Sequence, residues 1–313
     1  MFMFQRLSRP GWMAVELRPD SLRVAHVVRS GKARPRLALL RSFARAGSEA
    51  EDLSRLRKSL GLQHYRCTTA AEPGSYQIVQ LPAPAVPAAE LKAALRWGVK
   101  DAIDFAVDDA LIDALGVPND DPRGARPPQV LAVAARREHV GARVQAFQRA
   151  GIALKVVDVA ETAQRNLAAL FEEPNRGLAF LAFDERGGQL TFTRNGELYA
   201  LRHIDVATAA LAYAAPAAAR DSLYERIALE LQRSLDNFDR LFSQVALQRL
   251  LVAPLDGRGA LLDYLRNNLA LPVEAADLDG AFDCAGDVAF GDSTEQAGWL
   301  RPLGLALREE ARQ

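Results

Sequence analysis

Twice along this chain, three strand-length apolar runs follow one another before the first helical spacing. That repeated opening constrains the fold more than any other feature. The first set occupies residues 12–17, 22–28 and 37–43, with Arg18-Pro19-Asp20-Ser21 and a Gly31-containing turn between its members. The second set occupies 178–184, 188–194 and 197–202, separated by Arg186-Gly187-Gly188 and Arg194-Asn195-Gly196. Each set gives way to helical spacings alternating with short strands, the pattern expected of a duplicated α/β architecture. At 313 residues the chain exceeds what a single core usually holds, so two lobes are expected.

Between the two sets, residues 49–60 have helical spacing that stops at Gly61. In 90–103, Leu91, Leu95, Val99 and Ile103 recur at four-residue steps and predict an amphipathic helix, with Trp97 and Lys100 on other faces. Trp97 reads as packing within its own subdomain, or alternatively as an anchor for a partner peptide. Strands are expected at 110–117, 130–135 and 154–159, and helices at 139–150 and 162–171. The stretch 118–128, rich in proline, aspartate and arginine, reads as an exposed loop in which Asp120-Asp121 is a solvated pair. The segment 172–177 combines charge, proline and glycine and marks the junction of the lobes.

In the second half, Ser222 and Glu225 have capping-box spacing ahead of a long stripe made by Ile227, Leu231, Leu235, Phe238, Leu241, Phe242 and Val245. A strand at 249–253, a turn at 254–259, a helix at 261–269 and a strand at 273–276 follow, and the remainder reads as a loop-rich tail.

Composition removes several functions. With 39 basic and 39 acidic residues the net charge is +0, so no overall field favours nucleic acid or an anionic membrane. The two cysteines, Cys67 and Cys284, lack the spacing of a zinc site or disulfide framework and fit a reducing cytoplasm. The start, Met1-Phe2-Met3-Phe4, lacks the basic region and cleavage site of a signal peptide, and no apolar run is long enough to span a bilayer. Gly31-Lys32 is followed by Ala33, so there is no P-loop. Neither H-E-x-x-H nor G-x-S-x-G occurs, and the four histidines are scattered.

The stretch Ile78-Val79-Gln80-Leu81-Pro82 through Glu90-Leu91 and Trp97 to Ile103-Asp104-Phe105 resembles the strand, Leu-Pro, Glu-Leu, helix and tryptophan signature of PilM-like proteins. Residues 129–137, Ala150-Gly151 and Val157-Asp158 are similar to that family's later strand, Ala-Gly and Val-Asp sequence. Glu230-Leu231-Gln232-Arg233-Ser234-Leu235-Asp236 resembles its Glu-Leu-x-Arg-Ser-Leu-Asp helix, particularly in the MshI branch that serves the mannose-sensitive haemagglutinin (MSHA) pilus.

The resemblance implies a two-lobed actin-like, ribonuclease H-like duplicated α/β fold. Residues 1–171 would form the N-terminal lobe, including an inserted FtsA/PilM-type α/β subdomain at 62–150, and residues 177–313 the C-terminal lobe. It also implies a nucleotide cleft built from glycine-rich turns, because backbone N–H groups must approach phosphates closely. The residues that would line that cleft depart from the pattern. Where the family shows Asp-x-Gly-x-x-Ser, this chain has Glu16-Leu17-Arg18-Pro19-Asp20-Ser21. Asp184-Glu185-Arg186 stands for Asp-x-Gly, and Pro254-Leu255 for the adenosine-contacting Gly-Gly, with Gly257 and Gly259 nearby.

Glu16, Arg18, Ser21, Asp184, Arg186 and Gly257 are therefore the cofactor-binding candidates if ATP and Mg2+ are held, and the expectation is a degenerate site without cofactor or turnover chemistry. By the same resemblance the partner is the cytoplasmic tail of a PilN/MshJ-like bitopic inner-membrane protein. Leu81 and Trp97 would be at the binding surface, and the chain would be peripheral to the inner membrane. A working ATP-dependent switch and a GspL-like component of type II secretion are the alternatives.

Overall fold

The computed structural model describes residues 9–31, 33–120, 127–213 and 217–309. The expectations for Met1–Phe4, for Lys32 and for Asp121 in the acidic loop pair lie outside the described residues. The chain forms two compact units, one of Met1–His26 and Arg41–Ala160, the other of Val27–Leu40 and Glu161–Gln313. The segment 172–177 thus falls inside the second unit.

The chain opens with β1 (Trp12–Leu17), β2 (Ser21–Val28), β3 (Arg36–Ala44) and α1 (Glu49–Leu60). Then come β4 (Arg66–Ala70), β5 (Tyr76–Pro82), α2 (Leu91–Val99), β6 (Ala110–Val117), β7 (Gln129–Arg136), α3 (Arg137–Arg149) and β8 (Leu154–Asp158). The strands β3, β2, β1, β4 and β8 lie side by side in that order. Trp12, Met13, Ala14 and Val15 are all buried, and their unbroken apolar run is what a central strand covered on both faces requires. Parallel pairing sets Met13 against Cys67 and, one strand further on, Thr68 against Val156.

α1 begins and ends where its sequence says. The Ser48 hydroxyl accepts from the Glu51 amide while the Glu51 carboxylate accepts from the Ser48 amide, and Gly61 closes the helix at φ +67°, a left-handed backbone that glycine adopts without penalty.

The strands β5, β7 and β6 form a separate antiparallel sheet in that order. α2 lays Leu95 and Val99 on Val130 and Ala132, with Leu81, Leu91, Ile103 and Ile112 closing the margins. The helix expected over 90–103 ends at Val99, and Ile103 reaches the same core from the turn beyond it. The packing role read for Trp97 is corrected. Its side chain is 80% exposed, because it sits off the Leu91–Leu95–Val99 stripe that alone meets the sheet.

The second half runs α4 (Ala160–Ala168), β9 (Gly177–Phe183), β10 (Gly188–Arg194), β11 (Glu197–Ile204), α5 (Thr208–Tyr213) and α6 (Ala217–Leu241). It continues with β12 (Leu247–Val252), α7 (Arg258–Asn268), β13 (Val273–Ala275), α8 (Leu278–Ala281), β14 (Asp283–Cys284) and α9 (Ser293–Ala306). The sheet order is β11-β10-β9-β12-β13. Reading each set of strands in chain order, both sheets follow the sequence third, second, first, fourth, fifth, with the first, fourth and fifth parallel in each. β14 adds a short edge beside β3, pairing Asp283 with Arg36.

The stripe on α6 packs on the sheet: Phe238 stacks on Phe192 of β10 at 4.5 Å, and Phe242, just past the helix end, meets the Tyr199 ring edge-on at 5.3 Å. α4 binds the same sheet through Gln164, whose side-chain amide donates to the Phe180 and Gln189 carbonyls at 3.0 and 2.8 Å. Two expectations are corrected. The Ser222–Glu225 spacing is not a helix start, since α6 begins at Ala217. The tail is not loop-rich, because 293–306 form α9, capped by Asp292, with Trp299, Leu303 and Leu305 buried.

Candidate functional site

The first turn of interest joins β1 to β2. Arg18 N–H donates to the Ser21 carbonyl at 2.8 Å, and Pro19 has no N–H to offer. Arg45 holds the turn from outside. Its amide donates to the Asp20 carbonyl at 2.9 Å and its guanidinium to the Arg18 carbonyl at 3.2 Å. The Ser21 hydroxyl donates to the Asp20 carboxylate at 2.9 Å, and this bond, with the local amide, keeps the Asp20 carboxyl below its ordinary value. Glu16, only 3% exposed, lies 3.9 Å from the Arg18 guanidinium. Glu16, Arg18 and Ser21 are thus brought together around one turn that Arg45 braces.

The second turn follows β9. One oxygen of the Asp184 carboxylate accepts from the amides of Arg186 at 2.8 Å and Gly187 at 3.3 Å. The other accepts from the Arg301 guanidinium on α9 at 2.8 Å. Two successive amides and a guanidinium are the donor set that would hold a phosphate oxygen, and here they surround a carboxylate of the same chain. Gly187 has φ +152°, and a Cβ there would strike the His203 ring and the Ile204 carbonyl, so the turn cannot take a side chain at this position.

Gly257 precedes α7 at φ +67°, with open space at its Cβ position and at that of Gly259. The residues standing for Gly-Gly are different in kind: Leu255 is buried in the core of the second unit. The Arg258 guanidinium next to Gly257 donates to the Ala276 carbonyl at 3.1 Å and ties α7 to the chain just beyond β13. Burial draws the pKa of Arg258 below its ordinary value.

The two partner candidates have unequal surroundings. Leu81 is half-buried and lies against Gly98, so tightly that a Cβ on Gly98 would come within 3.0 Å of it. Trp97, the preceding residue on α2, stands in solvent, and Val86 in the proline-rich approach to α2 is exposed as well. Sequence reasoning missed Arg45 and Arg301, the two cations that fix the turns. Arg301 was hidden by the misread tail, although Asp292 followed by Glu295 and Trp299 carried a capping and apolar signal.

Comparison with known proteins was made against this geometry. Residues 44–179 match the family model described as type IV pilus assembly protein PilM. The fold is similar over 96% of this chain and 98% of the other to the solved structure titled "PilM-PilN type IV pilus biogenesis complex", at TM-score 0.68 and 23% identity. The chain is thus similar to PilM in sequence over 44–179 and in fold over nearly its whole length. Its fold is actin-like: a protein of Bacteroides thetaiotaomicron described as having an actin-like ATPase fold and unknown function aligns over 90% of this chain and 95% of its own, at TM-score 0.50 and 10% identity. No curated protein sequence matches the PilM-like chain. Among the described residues, no helix is long and apolar enough to cross a membrane, and no group of three or more His, Cys, Asp and Glu side chains could hold a metal ion.

Proposed function

We propose that the chain is a non-catalytic scaffold of a type IV pilus assembly platform, of the MshI branch, that captures the cytoplasmic tail of a PilN/MshJ-like bitopic inner-membrane protein. Tail capture would hold the scaffold at the cytoplasmic face of the inner membrane. The organisation that goes with this reading is a first lobe over 1–171 carrying the inserted subdomain 62–150, and a second lobe over 177–313.

The observation that carries the proposal is the Asp184 carboxylate seated on the Arg186 and Gly187 amides and the Arg301 guanidinium. A phosphate competing for those donors must displace an internal anion that is covalently tethered beside them. Arg18 and Pro19 support the same conclusion in the first turn, where one amide is engaged and the other does not exist. Together they favour a vestigial nucleotide site.

On the binding side, the PilM of the solved complex is named with PilN. Trp97 offers a large apolar side chain at no cost to the core, with Leu81 beneath the helix that presents it. The test is a titration of a labelled PilN/MshJ-like tail peptide. Saturable binding is expected, weakened about tenfold or more by Trp97→Ala. Absence of binding at high micromolar peptide contradicts the proposal.

An ATP-dependent switch is the second reading. What favours it is the N-terminus of α7, which has no side-chain cap and open space around Gly257 and Gly259.

A further inference from the structure

A groove of about 750 Å³ crosses the second unit where α6, the start of β12 and the chain after α7 meet. Leu235, Leu247 and Leu271 line it with apolar surface, each half-buried, and Asp236 and Asp239 stand exposed on its α6 side. Among the described residues, no lysine or arginine lines it. The cations of α6 beside it have partners of their own: Arg233 pairs with Glu230 at 2.9 Å and Arg240 donates to Asn237 at 2.8 Å. Leu229, seven residues before Asp236 and so on the same face of α6, is 44% exposed.

We infer that this groove is a second docking surface, for an extended segment of a partner protein in which leucine-class residues alternate with lysine or arginine. Charge complementarity selects the occupant. An acidic rim over a leucine-lined floor rewards a segment that brings both apolar anchors and cations, and it disfavours acidic segments. Lysine and arginine suit the rim because their stems lie along apolar surface while the charged ends reach carboxylates. From Leu229 to Asp239 the helix rises about 15 Å, the span of about five residues of extended chain. The surface lies wholly in the second unit and does not depend on tail capture.

The test uses the full chain and three labelled octapeptides of alternating Leu-Lys, Leu-Glu and Ser-Lys, followed by fluorescence anisotropy. The Leu-Lys peptide is expected to bind about tenfold or more tightly than either of the others and to weaken as salt is raised. Asp236→Asn with Asp239→Asn, both at exposed positions, is expected to lower its affinity about tenfold. Equal binding of the Leu-Glu peptide, or an affinity unchanged in the double variant, overturns the inference. So does sedimentation showing that the chain self-associates and that the double variant does not, because the face then belongs to a second copy.

Discussion

Asp52 and Asp184 are carboxylates held by backbone amides and arginines, and both fix a turn. Asp52, on α1, is 2% exposed and accepts from the Ala46 amide and the Arg45 guanidinium, and Arg55 pairs with it as well. Burial alone would raise its pKa, but the Ala46 amide and the two guanidinium groups outweigh burial and hold the carboxyl below its ordinary value. A folded-state pKa below the unfolded one means stability that is present above the unfolded value and lost as pH falls through the folded one. Asp52→Asn is therefore expected to lower the urea midpoint at pH 7, and the gap from the parent to close as the pH is taken down through the acid range. A gap that persists undiminished at the acid end contradicts this role. For Asp184→Ala, loss of the bonds to Arg186, Gly187 and Arg301 is expected to cost about 1–2 kcal/mol in denaturant unfolding. At this scale the sequence showed which turns depart from the glycine pattern, because glycine and proline declare their backbone needs locally. It could not show Arg45 or Arg301, whose partners in the turns, Asp20 and Arg18 for the one and Asp184 for the other, are 25 or more residues away and meet them only through folding.

Among the elements, α1 was legible to the residue, since Ser48, Glu51 and Gly61 are local signals that tertiary packing has no reason to override. The body of α6 was legible from its stripe and its start was not. The four residues ahead of Asp221 are alanines and an arginine that carry no stripe, so Ser222–Glu225 looked like a boundary. α9 was missed when the remainder was read as a loop-rich tail, and its packing rests on a glycine. The Gly304 carbonyl accepts from the Asn166 side chain at 3.0 Å, and a Cβ on Gly304 would collide with the backbone of Ala163 on α4. Gly304→Ala is expected to destabilise the protein by about 1–3 kcal/mol, seen as a lowered thermal midpoint. No change in midpoint would show that α4 and α9 do not meet as described. Trp97 illustrates the opposite error: its size suggested core, but position on α2 decides burial, and the exposed face of that helix is where it falls.

At the scale of the whole molecule, the repeated three-two-one-four-five strand order gives the duplicated opening of the sequence a structural form. The frame is actin-like in fold. In two turns of this frame the chain's own groups bond to one another: Asp184 to two amides and a guanidinium, and the Arg18 amide to the Ser21 carbonyl. A shared fold does not by itself assign a function, because function resides in particular sites and not in the sheets that carry them. The most direct measurement is a titration of the intact chain with a fluorescent ATP analogue and Mg2+. No saturable binding is expected up to about 1 mM nucleotide, whereas saturation at micromolar concentration would mean that the turns open to phosphate and would contradict the account.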